Sequence, residues 1–365
     1  MMRLLRVSGL LLLGVPCLRA AGTGPFNVHI SQPIADLWMY QNAPSPGSRV
    51  TASTFSYLPL AGEDDRFGQF VIKFDTLAAG IPLGLGAANY HIQNLTLTCV
   101  YASDDFLPYD PSVDPLSSLG IAPSVVDSDL GRPLELHGTG FRGSLTGGSL
   151  SESSLYGARN AFASSFDSNG NSRDVTNNVS IGVDSLPWAI GKVSAPVDLS
   201  VKPVVYLPLL PGEAMSKYGK VTFEIDLTSP SVAEYVRQGF HQGYLCFTLS
   251  SFHPVTGPAS NGFPAYFTLN HPEQALFGDV APVLDLRYSL PLNITSFTRV
   301  ATDEIVFLSW NASPSFDYRV EYTGDLTGGV WGSLGPFRTA TPAVLAWHGP
   351  SALPRAFFRI VRTPQ

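Results

Sequence analysis

The chain has 365 residues, a net charge of −7 and a hydrophobic content of 44%. Its length allows two or three domains, and its hydrophobic content is ordinary for a globular protein. The acidic balance argues against nucleic acid as a partner, because nucleic-acid binding needs a concentrated basic face. The 34 glycines and 30 prolines are spread along the chain, which favours many short strands and turns over long helices.

The N-terminus has the pattern of a secretory signal. Arg3 and Arg6 accompany an apolar core over residues 7–18, and small residues follow at a suitable cleavage point. This core is too short to cross a membrane, which requires about 20 apolar residues. We therefore expect residues 1–21 to be a signal peptide and the mature chain to be secreted, periplasmic or at the cell surface. No transmembrane segment is expected after signal removal, and an uncleaved anchor or a lipid on Cys17 is the alternative.

Several segments alternate between apolar and polar residues, which is the pattern of half-buried strands. In FGQFVIKFD, residues 67–75, the side chains of Phe70, Ile72 and Phe74 share one side. The same pattern recurs at 94–102, 220–227, 243–252 and 282–290. These runs are rich in β-branched and aromatic residues and are bounded by turn residues. They predict an all-β protein.

One segment, residues 229–243, predicts a helix. Pro230 suits its first turn, a serine on either side of Pro230 can cap the start, and Gly239 or Gly243 can end it.

Two cysteines, Cys99 and Cys246, remain after signal removal. A secreted context permits a disulfide. Cys99 is in phase with Leu95 and Leu97, whereas Cys246 is out of phase with its apolar neighbours. One thiol would point inward and the other outward, so we expect two separate thiols rather than a bridge.

Residues from about 102 to 200 are rich in Ser, Gly, Asn and Asp, which is typical of loops. A connection of this length is uncommon in a compact domain and is often functional. Apolar residues such as Leu134, Leu136 and Phe141 predict an ordered insertion that packs on the sandwich.

The segment DSNGNSRD, residues 167–174, is the best metal candidate. It places oxygens of Asp167, Asn169 and Asn171 at alternate positions, as Ca²⁺ loops do, and Asp174 adds a carboxylate. Ser172 stands where an EF-hand loop has glycine, so ordinary turn chemistry is the alternative. A second set of oxygen ligands comprises Asp104, Asp105, Asp110 and Asp114.

A family likeness rests on three blocks of residues that follow one another along the chain. The first is ADLWMYQNAPSPGSRVTASTF with DDRFGQFVIKFDT and IPLGLGAANYHIQNLTLT; the second is YDPSVDP with GRPLELHGTGFRG, YGARNAF and RDVTNNVS; the third is VAEYVRQGFHQGYLCFTLSSFHP with PAYFT and APVLDLRY. Together they resemble secreted proteins of planctomycete and verrucomicrobial type. The core of those proteins is similar to the DNRLRE-type jelly-roll module, which is grouped with carbohydrate-binding modules.

The module has an arginine before a strand that ends in Phe-Asp, and here Arg66 precedes Phe74-Asp75. Asn94 departs from the pattern, because it stands where the module has a small residue. The resemblance implies a jelly-roll-like β-sandwich over residues 22–290, with the inserted loop region at about 102–200. Residues 291–365 resemble a fibronectin-III-like domain, in which Trp310 takes the place of that fold's buried tryptophan.

The carbohydrate-binding likeness implies a secreted, non-catalytic protein that recognises extracellular polysaccharide. Aromatic rings and one arginine are the expected ligand-binding residues: Trp38, Tyr40, Tyr101, Tyr109, Trp188 and Arg66. Core packing is the alternative role for each ring. Alternative functions are a structural or adhesive envelope protein that acts through protein contacts and a polysaccharide-active enzyme.

We expect no enzyme, because G-x-S-x-G, H-E-x-x-H, Walker and Rossmann motifs are missing from the sequence. The seven histidines are scattered, and His253 is expected at the surface or as a cap residue.

Overall fold

The structure is a computed structural model that describes part of the chain. The described residues are 25–55, 68–104, 106–114, 130–157, 159–166, 169–175, 187–251, 253, 262–274, 280–290, 292, 294–300, 305–311, 316–323, 330–339, 344–350 and 357–364. The expected signal peptide at 1–21 and the candidate residues Arg66, Asp105 and Asp167 lie outside them.

Antiparallel strands are the main regular structure of the described chain, which confirms the predicted all-β sandwich class. The chain divides into two compact units, one spanning Phe26–Tyr288 and one that includes Ser289–Gln365. Among the described helices, none has the length and hydropathy that crossing a bilayer requires.

The larger unit consists mainly of short strands with one α-helix late in the chain. The elements are β1 (Phe26–Ile30), β2 (Ala35–Met39), β3 (Thr51–Ser53), β4 (Gln69–Asp75), β5 (His91–Val100), β6 (Tyr109–Asp110), β7 (Arg132–Phe141), β8 (Ala161–Phe166), β9 (Ser172–Asp174), β10 (Ala189–Ile190), β11 (Lys192–Pro196), β12 (Tyr206–Pro208), β13 (Lys220–Glu224), helix α1 (Pro230–Gln242), β14 (Tyr244–Ser251), β15 (Ala265–Phe267) and β16 (Val283–Ser289).

Two sheets form the larger unit. Sheet I has the strand order β1-β16-β5-β13-β11-β12, and sheet II has the order β2-β4-β14-β7-β8-β9. Strands β6 and β10 also pair with β7, while β3 pairs with β15. The side of sheet II that carries Phe70, Ile72 and Phe74 is completely buried. The Phe70 ring stacks on Tyr266, and Tyr266 in turn contacts Tyr101, which follows a strand of sheet I.

The opposite side of sheet II is also buried, which the period-two pattern did not predict. Val71 and Cys246 on this side pack against Leu150 from the inserted region. Lys73, on the same side, donates from Nζ to the carbonyl oxygens of Gly148 at 3.1 Å and Leu150 at 2.9 Å. The prediction of a half-buried strand was therefore wrong for β4, because the segment between β7 and β8 covers the face that was expected to meet solvent. The expectation that residues 102–200 are a loop insertion packed on the sandwich was also wrong in part, because this region supplies β7, β8 and β9 to sheet II and β11 to sheet I.

Both cysteines are free and buried, in agreement with the prediction of two separate thiols. Cys99 lies in the core between the sheets, and Cys246 lies on the other side of sheet II. The expectation that one thiol would meet solvent was wrong, because the insertion covers Cys246.

Helix α1 confirms the predicted helix at residues 229–243. Pro230 occupies its first position, although Ser229 makes no side-chain cap bond. The helix ends at Gly243, whose φ of 88° is in the left-handed region that favours glycine. The Gly243 N–H donates to the carbonyl oxygen of Gly239 at 2.9 Å. The helix lies in the chain between β13 of sheet I and β14 of sheet II.

The second unit is described by itself. Its strands are β17 (Ile294–Val300), β18 (Ile305–Asn311), β19 (Phe316–Thr323), β20 (Gly332–Ser333), β21 (Arg338–Thr339), β22 (Val344–Pro350) and β23 (Phe357–Pro364). One sheet has the order β17-β18-β22, and the other has β20-β19-β21 with β23 paired to β19. Trp310 is buried, with its ring centroid 6.0 Å from that of Tyr318 on the other sheet. The fibronectin-III-like assignment stays a prediction.

Candidate functional site

Four aromatic rings gather where β2 ends, and we call them the aromatic cluster: Trp38, Tyr40, Phe55 and Phe263. Ring centroids are 5.0 Å apart for Trp38 and Tyr40, 5.2 Å for Tyr40 and Phe55, and 5.0 Å for Phe55 and Phe263. Phe55 is buried, whereas the other three rings are partly exposed. Two of the six predicted ligand-binding residues are thus neighbours in one partly exposed group.

The strand geometry explains why Trp38 and Tyr40 meet. Residues two apart on a strand point to the same side. Strand β2 runs from the buried Asp36 to the partly exposed Trp38, and Tyr40 is the first residue after the strand. The Trp38 indole Nε1 donates to the carbonyl oxygen of Ser53 at 2.8 Å, which fixes the ring plane against β3. The Tyr40 hydroxyl accepts a hydrogen bond from Asn42 Nδ2 at 3.2 Å.

A cation accompanies the cluster. The guanidinium carbon of Arg49 lies 5.5 Å from the centroid of the Trp38 ring, within the range of a cation–π contact. The Arg49 carbonyl oxygen accepts a hydrogen bond from Thr268 Oγ1 at 2.6 Å, which holds the backbone in place. Arg49 is partly exposed, so solvent reaches this part of the cluster.

Two carboxyl groups lie next to the cluster. Asp36 is completely buried, and its Oδ2 accepts the backbone N–H of Leu269 at 2.6 Å. Burial raises the pKa of Asp36 to about 7; the Leu269 hydrogen bond opposes this rise, and the nearby charge of Glu152 adds to it. Burial also raises the pKa of Glu152, against the hydrogen bonds that it accepts from Asp36 and Asn270.

Three of the expected ligand-binding rings are not at the surface. Tyr101, Tyr109 and Trp188 are only 0%, 5% and 3% exposed, so their prediction as an accessible platform was wrong. Trp188 shows the reason, because its ring stacks on Phe166 at 5.9 Å and meets Tyr235 edge-on at 4.8 Å. These rings fill the interior in the role that had been considered as the alternative.

Tyr109, although only 5% exposed, is one of the residues that line a cavity of about 510 Å³ at the edge of sheet I. The lining is mainly aliphatic, and the Lys192–Glu224 ion pair at 2.6 Å stands on it.

The metal candidates are only partly described. Asn169 and Asn171 are exposed, while Asp174 belongs to β9 and its carboxylate pairs with Arg142. Asp174 is therefore bound to a cation of the protein, and its role as a metal ligand stays a prediction. A Ca²⁺ loop that includes Asp167 stays a prediction, because Asp167 lies outside the described residues.

In the second set of candidate oxygen ligands, Asp110 and Asp114 bind other groups of the protein. Asp110 Oδ1 accepts hydrogen bonds from the backbone N–H and the hydroxyl of Ser112 at 2.8 and 2.7 Å. Asp114 forms a buried ion pair with Arg132 at 2.6 Å. In the part of the chain that the structure describes, no three His, Cys, Asp or Glu side chains converge as metal ligands.

A serine–histidine pair lies at the end of β14, where Ser251 Oγ contacts His253 Nδ1. Both side chains are buried, and burial lowers the pKa of His253 to about 3, with the Arg132 charge lowering it further. The expectation that His253 lies at the surface was wrong. We interpret the pair as part of the buried scaffold.

Sequence reasoning missed the partners of Trp38 and Tyr40. Phe55, Phe263 and Arg49 join the cluster from three other segments, and such long-range proximity has no local pattern in the sequence. Asp36 did have a local signal, since it is a charged residue in phase with Trp38 within an apolar run. No protein-family model, curated protein or solved structure matches the chain.

Proposed function

We propose that this protein is a secreted, non-catalytic binding protein that holds an extracellular polysaccharide on the aromatic cluster. The observation that carries the proposal is the side-by-side placement of Trp38 and Tyr40, partly exposed and 5.0 Å apart, at the end of a strand. Partly exposed aromatic side chains that lie next to one another are suited to recognition, because their ring faces offer apolar area at a low entropic cost.

The chemistry of the cluster suits a sugar. The C–H face of a pyranose ring is apolar and packs on an aromatic face, while its hydroxyl groups need hydrogen-bond partners. Arg49 offers N–H donors beside the Trp38 ring, and the Tyr40 hydroxyl and the Asn42 amide offer donors and acceptors. Stacking surface and polar groups thus occur within one small area.

Retention on polysaccharides tests the proposal. The mature chain is applied to cellulose, chitin, xylan, mannan, pectin and alginate, with Ca²⁺ and with chelator. We expect retention on at least one glycan that is lost in Trp38→Ala and Tyr40→Ala. The matched control is Phe106→Ala, because Phe106 is an exposed aromatic residue outside the cluster. Equal retention of all variants, or no retention of the folded chain on any glycan, overturns the proposal.

A second candidate function, adhesion through protein contacts, is favoured by a different surface. The β11–β12 hairpin and its connecting loop expose five aliphatic side chains by 42–60%: Val197, Leu199, Val201, Val205 and Leu207. Contiguous exposed apolar area is uncommon on monomeric proteins and often marks an interaction site. This alternative would be supported if the parent chain pulls down an envelope protein but is retained on no glycan, and if Leu207→Ser abolishes the pull-down.

A further inference from the structure

The buried Asp36 is connected to both sides of the aromatic cluster. It lies on β2 two residues before Trp38, and its Oδ2 accepts the Leu269 N–H at 2.6 Å. Its Oδ1 is buried and accepts no hydrogen bond from any residue that the structure describes. A buried carboxylate that lacks a full set of partners is costly in its charged form.

Glu152 reaches the same place from the inserted region. Its Oε1 accepts the Asp36 backbone N–H at 2.6 Å, and its Oε2 accepts the Asn270 amide at 3.1 Å. The same amide also donates to the carbonyl oxygen of Gly47 at 2.5 Å. We call Asp36, Glu152, Leu269 and Asn270 the carboxyl junction. It joins β2, the insertion, the turn after β15 and the segment that leads to Arg49.

Among the described residues, the other titratable groups around Asp36 supply no compensating positive charge. Burial keeps the Cys99 thiol neutral by raising its pKa well above the usual value, and the Asp36 charge adds to that rise. The Tyr266 phenol is neutral for the same main reason, burial, which raises its pKa. Lys73, on the neighbouring strand, directs its ammonium to the carbonyls of Gly148 and Leu150. The His271 ring packs on Phe267, and its Nδ1 accepts the Glu273 N–H.

We propose that protonation of Asp36 regulates binding at the aromatic cluster, which holds its ligand in acidic medium and releases it as the pH rises towards neutral. This inference rests on the proposed function of the cluster. In the neutral form, Asp36 fits its buried site and does not repel Glu152. When Asp36 loses its proton, the charge must be hydrated, so water enters the junction and the segments around residues 46–50 and 268–270 separate. Arg49 then loses its position over Trp38.

The direction of the effect follows from proton linkage. The closed junction favours the protonated acid, so it has the higher pKa, about 7 against the ordinary 3.8. The closed form is therefore lost as the pH rises from about 4 to 7, and the loss levels off above that range. Each unit of pKa difference corresponds to a tenfold change in the closed-to-open ratio.

Affinity as a function of pH tests the inference on the full mature chain, with the panel polysaccharide that retains it as the probe. For the parent chain we expect affinity to fall by up to about a hundredfold between pH 5 and pH 8, because about two units of the pKa difference lie in that interval. Asp36→Asn, which keeps the shape and removes the charge, should bind equally at both pH values. The matched control is Asp198→Asn, because Asp198 is an exposed carboxyl that accepts hydrogen bonds from Ser200 within its own loop. It should keep the parent profile.

Glu152→Gln provides a second variant if Asp36→Asn does not fold. It removes one charge beside Asp36, so it should reduce the pH dependence while Asp36 stays in place. Affinity of the parent chain that does not change with pH overturns the regulation and leaves the proposed function intact. A pH dependence that is unchanged in Asp36→Asn also overturns the regulation and leaves the proposed function intact. Absence of retention on every glycan at every pH overturns the proposed function and the inference together.

Discussion

Lys73 donates its ammonium to the carbonyl oxygen of Leu150 at 2.9 Å, and this bond attaches the inserted region to sheet II. The side chain is 6% exposed and also lies 5.2 Å from the centroid of the Tyr244 ring. A buried ammonium that satisfies two carbonyls and one ring face is a structural cation. It shows why the insertion is part of the fold of the larger unit.

We predict that Lys73→Met destabilises the chain by about 2–4 kcal/mol, because two buried carbonyls lose their donor. Urea unfolding followed by circular dichroism measures the change. Lys192→Met is the control, since the Lys192–Glu224 pair is largely exposed and such pairs contribute little. Equal effects of the two substitutions would contradict the structural role of Lys73.

Gly138 on β7 allows a close approach that any side chain would prevent. A methyl group at this position would lie 2.2 Å from the Trp188 ring. We expect Gly138→Ala to lower stability by about 1–3 kcal/mol through overpacking. Gly148→Ala is the matched control, because its methyl group would meet no atom closer than 3.8 Å. Thermal melts measure the Tm of both variants. Equal Tm values would be evidence against the packing of Trp188 on β7.

Arg49 is expected to contribute to ligand affinity rather than to folding. Arg49→Ala removes a cation from the Trp38 face together with several N–H donors. We predict an affinity about three- to tenfold lower for the retained glycan, with little change in Tm. Arg287→Ala, at an exposed position on β16, should leave affinity unchanged. Titration calorimetry measures both affinities. Parent affinity in the Arg49→Ala variant would show that Arg49 does not contribute to ligand binding.

Two buried groups give the stability opposite dependences on pH. The raised pKa of Asp36, about 7, means that its contribution is present in acid and is lost as the pH rises from about 4 to 7. The lowered pKa of His253, about 3, means that its contribution is present above pH 6.5 and is lost as the pH falls towards 3. The parent Tm should therefore vary little over this range.

Single variants separate the two dependences. Asp36→Asn should show a Tm that rises from pH 4 to pH 6.5, and His253→Gln should show a Tm that falls over the same range. Calorimetric melts at matched ionic strength measure both slopes. Parallel profiles for the parent chain and the two variants would show that neither group titrates as its burial implies.

Local patterns predicted the strands and the helix well, because those elements depend on residues close in sequence. The alternation of Phe70, Ile72 and Phe74 placed them correctly in the core, and Pro230 and Gly243 placed the ends of α1 closely. The burial of Val71 and Lys73 was not predictable in this way. It depends on a covering segment that is more than seventy residues away in the chain.

The candidate site was predicted only in part for the same physical reason. Trp38 lies in β2 and Tyr40 follows one residue after its end, so their shared side follows from the extended chain. Tyr101 and Trp188 also stand near strand ends, yet their exposure depends on which distant rings contact them, such as Tyr266 and Phe166. Aromatic residues in a core and on a binding surface have the same local pattern.

Hydroxyl-radical footprinting with and without the retained glycan tests the central claim most directly. If the aromatic cluster holds the polysaccharide, Trp38 and Tyr40 are protected when the glycan is present, while the labelling of Phe106 does not change. Unchanged labelling of both residues under saturating glycan, or protection confined to the β11–β12 hairpin, would contradict the claim.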